Sequence, residues 1–257
     1  KLLSSPDAIV ADVRRARKEI DASAFPGLPL YFTEWSSSYS PRDVVHDSYI
    51  NAPYVLTKLK QARGLAQGMS YWAYTDLFEE AGPPPASFHG GFGLMNREGV
   101  RKPTWFAYKY LNQLTGREIP TNDELAWATV DERKIAILAW DWQQPVQDVS
   151  NRPFYTRKLV ARPAVPLSIH LKSIQPGSYR LKVHRTGYLK NDPLSAYIDM
   201  GLPSDVSAVQ LNALKSATSD QAEQDRMLRV GSDGLLNLDL AMRSNDVVLV
   251  TLEPQER

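Results

Sequence analysis

Leu30-Tyr31-Phe32-Thr33-Glu34-Trp35 is a short apolar run with one carboxylate near its end, and a polar, turn-rich segment, Ser36-Ser37-Ser38-Tyr39-Ser40-Pro41, follows at once. A parallel strand covered on both faces reads as a near-continuous hydrophobic run. In a (β/α)8 barrel, the C-terminal end of such a strand delivers its side chain to the mouth where active sites are built. The pattern predicts a strand over 28–33 that ends at Glu34. A Glu-Trp pair alone reads more readily as a salt-bridged strand end than as catalytic, so the surrounding chain decides.

Upstream, Ser5-Pro6-Asp7 reads as a helix start, with a capping hydroxyl, proline in the first turn and an acid beside it. Ile9, Val13, Ala16 and Ile20 recur at helical spacing, which predicts an amphipathic helix over 6–21. Downstream, Val55, Leu59, Ala62 and Leu65 share one face of a second helix, closed by Gly68, with Pro53 in its first turn. Met69-Ser70-Tyr71-Trp72-Ala73-Tyr74 is the next apolar strand, and Lys102-Pro103 opens a third helix running to Gly116. Helix, strand, helix, strand, helix is the grammar of a βα barrel. Two strands cannot close one.

Beyond Pro120 the pattern becomes period-2 and turn-punctuated. Strands are expected over 125–130, 135–142, 167–171, 179–184, 235–240 and 247–252, with turns at Gln175-Pro176-Gly177-Ser178 and Gly231-Ser232-Asp233-Gly234. Residues 120–257 read as an antiparallel β-sandwich, with a loop or short helix near 205–214.

The bulk composition narrows the function. A hydrophobic share of 43% with 23% charged residues is that of a water-soluble globular chain. Thirty basic against 29 acidic side chains leave a formal charge of +1, which gives no footing for nucleic acid or an anionic membrane. No apolar run approaches the roughly 20 residues of a membrane span. There is no cysteine, so thiolate chemistry is out and any compartment is compatible. The chain opens on Lys1 with neither an initiator Met nor a signal-peptide pattern, and reads as starting in the middle of something larger.

Three carboxylates stand out: Glu34 at a strand end, and Glu79 and Glu80 in the loop after the next strand. Trp35, Tyr39, Tyr71, Trp72, Tyr74, Phe78, Phe88 and Phe92 crowd the same segments. Carboxylates accept from sugar hydroxyls while ring faces pack on pyranose C–H groups, so acids among aromatics suit a carbohydrate pocket. The competing expectation is that about half of these rings belong to the core and that at least one of the paired glutamates is a solvated loop residue. Gly90-Gly91-Phe92-Gly93 lacks the strand-to-helix setting and Lys-Ser/Thr ending of a phosphate loop. His46-Asp47 and His89 are too few and too scattered for a metal site, and no Gly-x-Ser-x-Gly elbow is present. No cofactor is expected.

The segments Phe32–Tyr39, His46-Asp47, Ser70–Glu80, Phe88–Leu94 and Lys102–Tyr108 resemble glycoside hydrolase family 39, which contains β-xylosidases and α-L-iduronidases. His184-Arg185, Asn191-Asp192 and Tyr197–Gly201 match more loosely. The resemblance implies a retaining glycosidase, α/β plus all-β, with a (β/α)8 TIM barrel and an accessory β-sandwich. Residues 1–118 would supply the C-terminal part of the barrel and 119–257 the sandwich. It places Glu34 as the nucleophile, Glu80 (less favourably Glu79) as a ligand of sugar hydroxyls, Trp72 on the pocket floor, and His89 and Phe92 in a nearby loop, with Trp35 beside the nucleophile. The expected substrate is a xylo-oligosaccharide or aryl β-xyloside.

One departure matters. The family's acid/base glutamate lies in an Asn-Glu-Pro motif, and this sequence has none. With two strands of eight, residues 1–118 read as about the last quarter to third of a barrel. The acid/base is therefore expected on an N-terminal barrel portion, in the same or a separate chain, and the isolated polypeptide is expected to aggregate or to lack activity. Two other readings stand beside this one: an iduronidase-like glycosidase, which needs a cation for its sugar carboxylate (Arg42 is the nearest), and a non-catalytic carbohydrate-binding fragment.

Overall fold

The computed structural model describes residues 7–77 and 82–255. Helix α1 (Ala8–Asp21) buries Val10 and Val13, and β1 (Tyr31–Trp35) follows. A 3-10 turn over Val44–Asp47 leads into α2 (Asn51–Ala62), then β2 (Gly68–Tyr71) and α3 (Pro103–Leu111). The order predicted from sequence holds, but the ends move. Glu34 lies inside β1 rather than after it, Gly68 opens β2 rather than closing α2, and α3 stops at Leu111. Of the expected Ser5-Pro6-Asp7 helix start, Ser5 and Pro6 lie outside the described residues. Asp7 Oδ1 receives a 2.8 Å bond from the buried Lys58 ammonium, which ties α1 to α2.

β1 and β2 pair in parallel, with Tyr31 opposite Gly68 and Trp35 opposite Tyr71. They form a sheet of only two strands among the described residues, so each has an unpaired edge. The sequence pattern implied a strand buried on both faces. Instead Tyr31 is 62% exposed, with Phe25 and Leu28 before it at 68% and 53%.

A six-stranded sheet occupies the second half, in the order β3-β4-β5-β10-β7-β8. It comprises β3 (Arg117–Ile119), β4 (Ala126–Asp131), β5 (Lys134–Trp140), β7 (Gly177–Thr186), β8 (Gln224–Val230) and β10 (Val247–Gln255), all antiparallel to their neighbours. β6 (Leu167–Leu171) and β9 (Leu236–Leu240) make a separate two-stranded sheet. Short helices α4 (Asn151–Tyr155), α5 (Pro193–Asp199) and α6 (Ala208–Ala217) fill the long connections.

The large sheet is covered on both sides, which explains its sequence. On one face Ile135, Ile137, Leu181, Val248, Val250 and Leu252 pack with Ile169 and Leu240 of the small sheet. On the other, Leu138, Trp140, Val247 and Leu249 pack with Ala52 and Leu56 of α2 and Phe106 and Tyr110 of α3. Central β10 is therefore buried at six consecutive residues and reads as a continuous apolar run despite being antiparallel. β7 is buried at Tyr179, Leu181 and Val183 but not at the intervening Arg180, Lys182 and His184, so it keeps the predicted alternation. Each fully buried Val or Leu of this kind contributes about 1.5–3 kcal/mol.

The two halves are also joined by polar contacts. Asp220 accepts from Tyr110 Oη at 2.5 Å, Lys109 Nζ at 2.6 Å and Asn191 Nδ2 at 2.8 Å, with His184 Nδ1 at 3.5 Å. Burial works against its charge, yet bonds from His184, Lys109 and Tyr110 hold its carboxyl below the ordinary value. Of the loosely matching segments, His184 and Asn191 thus anchor α3 to β7. Asp192 caps α5 by accepting from the Ser195 amide.

Candidate active site

β1 ends against a column of rings. Trp35 meets Tyr71 edge-on, with centroids 5.9 Å apart, and Tyr71 meets Tyr108 of α3 at 5.8 Å. The Tyr71 hydroxyl accepts from Asn51 at the start of α2, and burial pushes its pKa up to about 12. The register slips by one residue between Phe32 and Trp35, and beyond that slip the Trp72 amide donates to the Trp35 carbonyl at 2.9 Å, tying the two strand ends together beside Glu34 and Trp72. The Trp72–Ala73 peptide is cis.

Above this column is a cavity of about 350 Å³ lined by Ile9, Glu34, Trp35, Ser36, Tyr39, Trp72 and Phe92. Four residues singled out from sequence, Glu34, Trp35, Trp72 and Phe92, thus meet around one space. His89 is not among the lining residues; it is buried, and its Nδ1 meets the Ala86 carbonyl at 3.0 Å. Glu79 and Glu80 lie outside the described residues. A second cavity of about 280 Å³ shares Ile9, Ser36 and Tyr39, and extends to Tyr54, Trp142, Gln144, Gln147 and Tyr155. Among the described residues, no three His, Asp or Glu side chains are placed to hold a metal.

Phe92 comes from the 88–95 loop, which runs beside the chain leaving β2. Ala73 N donates to Phe92 O, Leu94 N to Ala73 O, and Asp76 N to Met95 O. The approach is possible only with glycine: a Cβ on Gly93 would lie 2.3 Å from Asp76 N, and one on Gly90 would lie 2.4 Å from Asp43 C. Gly90 also has φ +88°, in the left-handed region. Gly93→Ala should cost about 1–3 kcal/mol by overpacking against backbone. A thermal melt checks it: an unchanged midpoint would mean the loop is not held this tightly.

His46 stacks on Phe92 with ring centroids 4.8 Å apart. Its two ring nitrogens face the Gly90 carbonyl at 2.8 Å and the Ser38 carbonyl at 3.1 Å, joining the loop after β1 to the 88–95 loop. Burial holds its pKa below the ordinary value, against the pull of the Gly90 carbonyl, with Lys102 adding to the depression.

Beneath the loop, sequence reasoning missed a buried cluster of Asp47, Asp76 and Lys102, all within 0% exposure. One signal was available. Lys102 stands at the N-cap of α3, where the helix dipole disfavours a cation, so a lysine there needs carboxylates nearby.

With this geometry in hand, comparison with known proteins identifies the setting. The profile of glycosyl hydrolases family 39 matches residues 5–234. The chain belongs to that family. It is 64% identical to the family 39 enzyme of Xanthomonas axonopodis pv. citri, with a TM-score of 0.97 over 99% of this chain and 50% of that one. It is 56% identical to a monomeric β-xylosidase from Caulobacter crescentus CB15, with a TM-score of 0.96 over 100% of this chain and 52% of that one. A β-xylosidase from Geobacillus stearothermophilus is 28% identical over 98% of this chain and 46% of its own length. The chain thus spans about half the length of the family 39 relatives it matches.

Proposed function

We propose that this chain is the C-terminal portion of a retaining exo-β-xylosidase, with 1–118 completing a (β/α)8 barrel and 119–257 forming its accessory β-sandwich. The observation that carries this reading is Glu34 on the wall of a cavity built with Trp35, Trp72 and Phe92. It offers a carboxylate for the anomeric carbon and ring faces for the sugar. The unpaired edges of β1 and β2, and the exposed Phe25, Leu28 and Tyr31, are the surfaces that the rest of a barrel would cover.

In the proposed reaction, ionised Glu34 attacks the anomeric carbon as the bond to the leaving oxygen breaks. A protonated carboxyl from the other part of the barrel, about 5–5.5 Å from Glu34, donates its proton to that oxygen. The same group then deprotonates a water, which displaces Glu34 and releases xylose. Glu80, or Glu79, would hold sugar hydroxyls. A neutral glycon fits the described walls better than a uronate, because none of the lining residues carries a positive charge. That weighs against the iduronidase-like reading.

The test follows aryl β-xyloside hydrolysis by NMR in the protein that joins this chain to the remaining barrel. β-Xylose should form first and mutarotate afterwards. First-formed α-xylose, or turnover of an iduronide without turnover of the xyloside, would overturn the proposal.

A further inference from the structure

The wall that carries Phe92 rests on three charges that the chemistry above does not use. Lys102 Nζ lies 2.7 Å from Asp47 Oδ1 and 2.8 Å from Asp76 Oδ2, and donates to the Gly91 carbonyl at 2.8 Å. Asp47 Oδ2 accepts from the Gly90 amide at 2.6 Å, and Asp76 Oδ1 from the Gly93 amide at 2.7 Å. The cluster therefore takes hold of the backbone at 90, 91 and 93, on both sides of Phe92.

Stability alone gives little reason for this arrangement. A buried ion cluster is often no more stable than apolar side chains of the same volume. Two carboxylates facing one ammonium also leave a net negative charge without solvent, and burial raises the Asp76 carboxyl accordingly, against the pull of Lys102. Apolar replacements, however, could not do what this cluster does. Gly90-Gly91-Phe92-Gly93 offers one side chain to pack, so the loop can be fixed only through its amides and carbonyls, which need buried partners. The hold reaches the cavity directly, because Phe92 O accepts from Ala73 N, next to Trp72.

We infer that Lys102, with Asp47 and Asp76, is a positioning residue of the sugar site, setting Phe92 against Trp72 and so governing how tightly the sugar is held beside Glu34. This rests on the glycosidase reading above. Glu34 sits on β1, which the cluster does not touch. Loosening the loop should therefore remove binding common to ground and transition states, raising KM and sparing kcat.

The experiment compares Asp76→Ala, Asp76→Asn and Lys102→Met with the wild type in the full protein. Steady-state kinetics on an aryl β-xyloside are paired with amide hydrogen exchange of the 88–95 segment. Asp76→Ala should raise KM about tenfold or more with kcat within about threefold, and speed exchange in 88–95 at least about tenfold. Asp76→Asn keeps an oxygen for the Gly93 amide and should return both readings to within about threefold of wild type. If Lys102→Met fails to fold, the Asp76 pair still decides. A fall in kcat with unchanged KM, or exchange in 88–95 no faster than wild type, would overturn the inference. Should the wild-type protein turn over no xyloside, the glycosidase reading fails by itself, and the exchange data still test whether the cluster fixes the loop.

Discussion

Glu34→Gln, in the protein that carries this chain, is expected to lower kcat/KM for an aryl β-xyloside by roughly 10⁴-fold or more while leaving xyloside binding within a few-fold. The size follows from what the side chain does on the proposed mechanism. A carboxamide has nearly the same shape and can still meet a sugar hydroxyl, but it cannot form the glycosyl ester, and losing a covalent nucleophile is felt on this scale. The neighbours should stay in place, because Trp35 is held by Tyr71 and by the Trp72 amide rather than by Glu34. Kinetics beside calorimetric binding of a xylo-oligosaccharide check it. Loss of binding with residual turnover would make Glu34 a binding group, and a protein with no turnover to lose would favour the carbohydrate-binding reading.

The second large effect concerns stability. Asp246→Ala should destabilise the second half by about 3–5 kcal/mol, because it strands a buried cation. Asp246 is fully buried and accepts from Arg185 Nη1 at 2.5 Å, from the Arg243 amide at 2.9 Å and from the Arg243 guanidinium at 3.1 and 3.2 Å. Arg185, itself 9% exposed, would keep Glu223 at 2.8 Å, the Ala241 carbonyl at 3.0 Å and the weak acceptor Met242 Sδ at 3.7 Å. β7, which carries Arg185, pairs with β10 at the centre of the large sheet, so the loss spreads through the sheet. Denaturant unfolding of Asp246→Ala against wild type checks it. A change below about 1 kcal/mol would show that Glu223 suffices for Arg185.

Much of this was legible in the sequence where burial follows a simple rule. The alternation over 179–184 gave away β7, because packing decides which of its faces is apolar, whereas the 30–35 run gave away β1 by its apolar composition although only Trp35 of that strand is buried. Where burial is incomplete, the signal faded. β8 is an edge strand with most of its residues exposed and an Arg180–Asp225 pair across its ladder, so it carries no apolar pattern and was missed. β3 is three residues long, too short for periodicity. α6 was half-seen, although Ser207 and Gln210 form a capping box readable as Ser-x-x-Gln.

The site divided in the same way. Glu34, Trp35, Trp72 and Phe92, which share one cavity, were picked out by the crowding of aromatic residues around a strand-end carboxylate and by the resemblance to family 39. The glycines around Phe92 were read only as not forming a phosphate loop. What that run needs, Asp47, Asp76 and Lys102, comes from three separate segments, and partners that distant leave no mark on local spacing. His184 and Asn191 show the converse: they match the family, and here they hold Asp220 rather than line the cavity.

The most direct test of Glu34 as nucleophile is covalent trapping with a 2-deoxy-2-fluoro-β-xyloside bearing an activated leaving group. The fluorine slows both steps by destabilising the oxocarbenium-like transition state, while the leaving group keeps the first step fast enough for the glycosyl-enzyme to accumulate. Peptide mapping by mass spectrometry should find the fluoroxylosyl group on the peptide containing Thr33-Glu34-Trp35, with inactivation in step with labelling. A label on another carboxylate, or continued turnover with no adduct, would contradict the account.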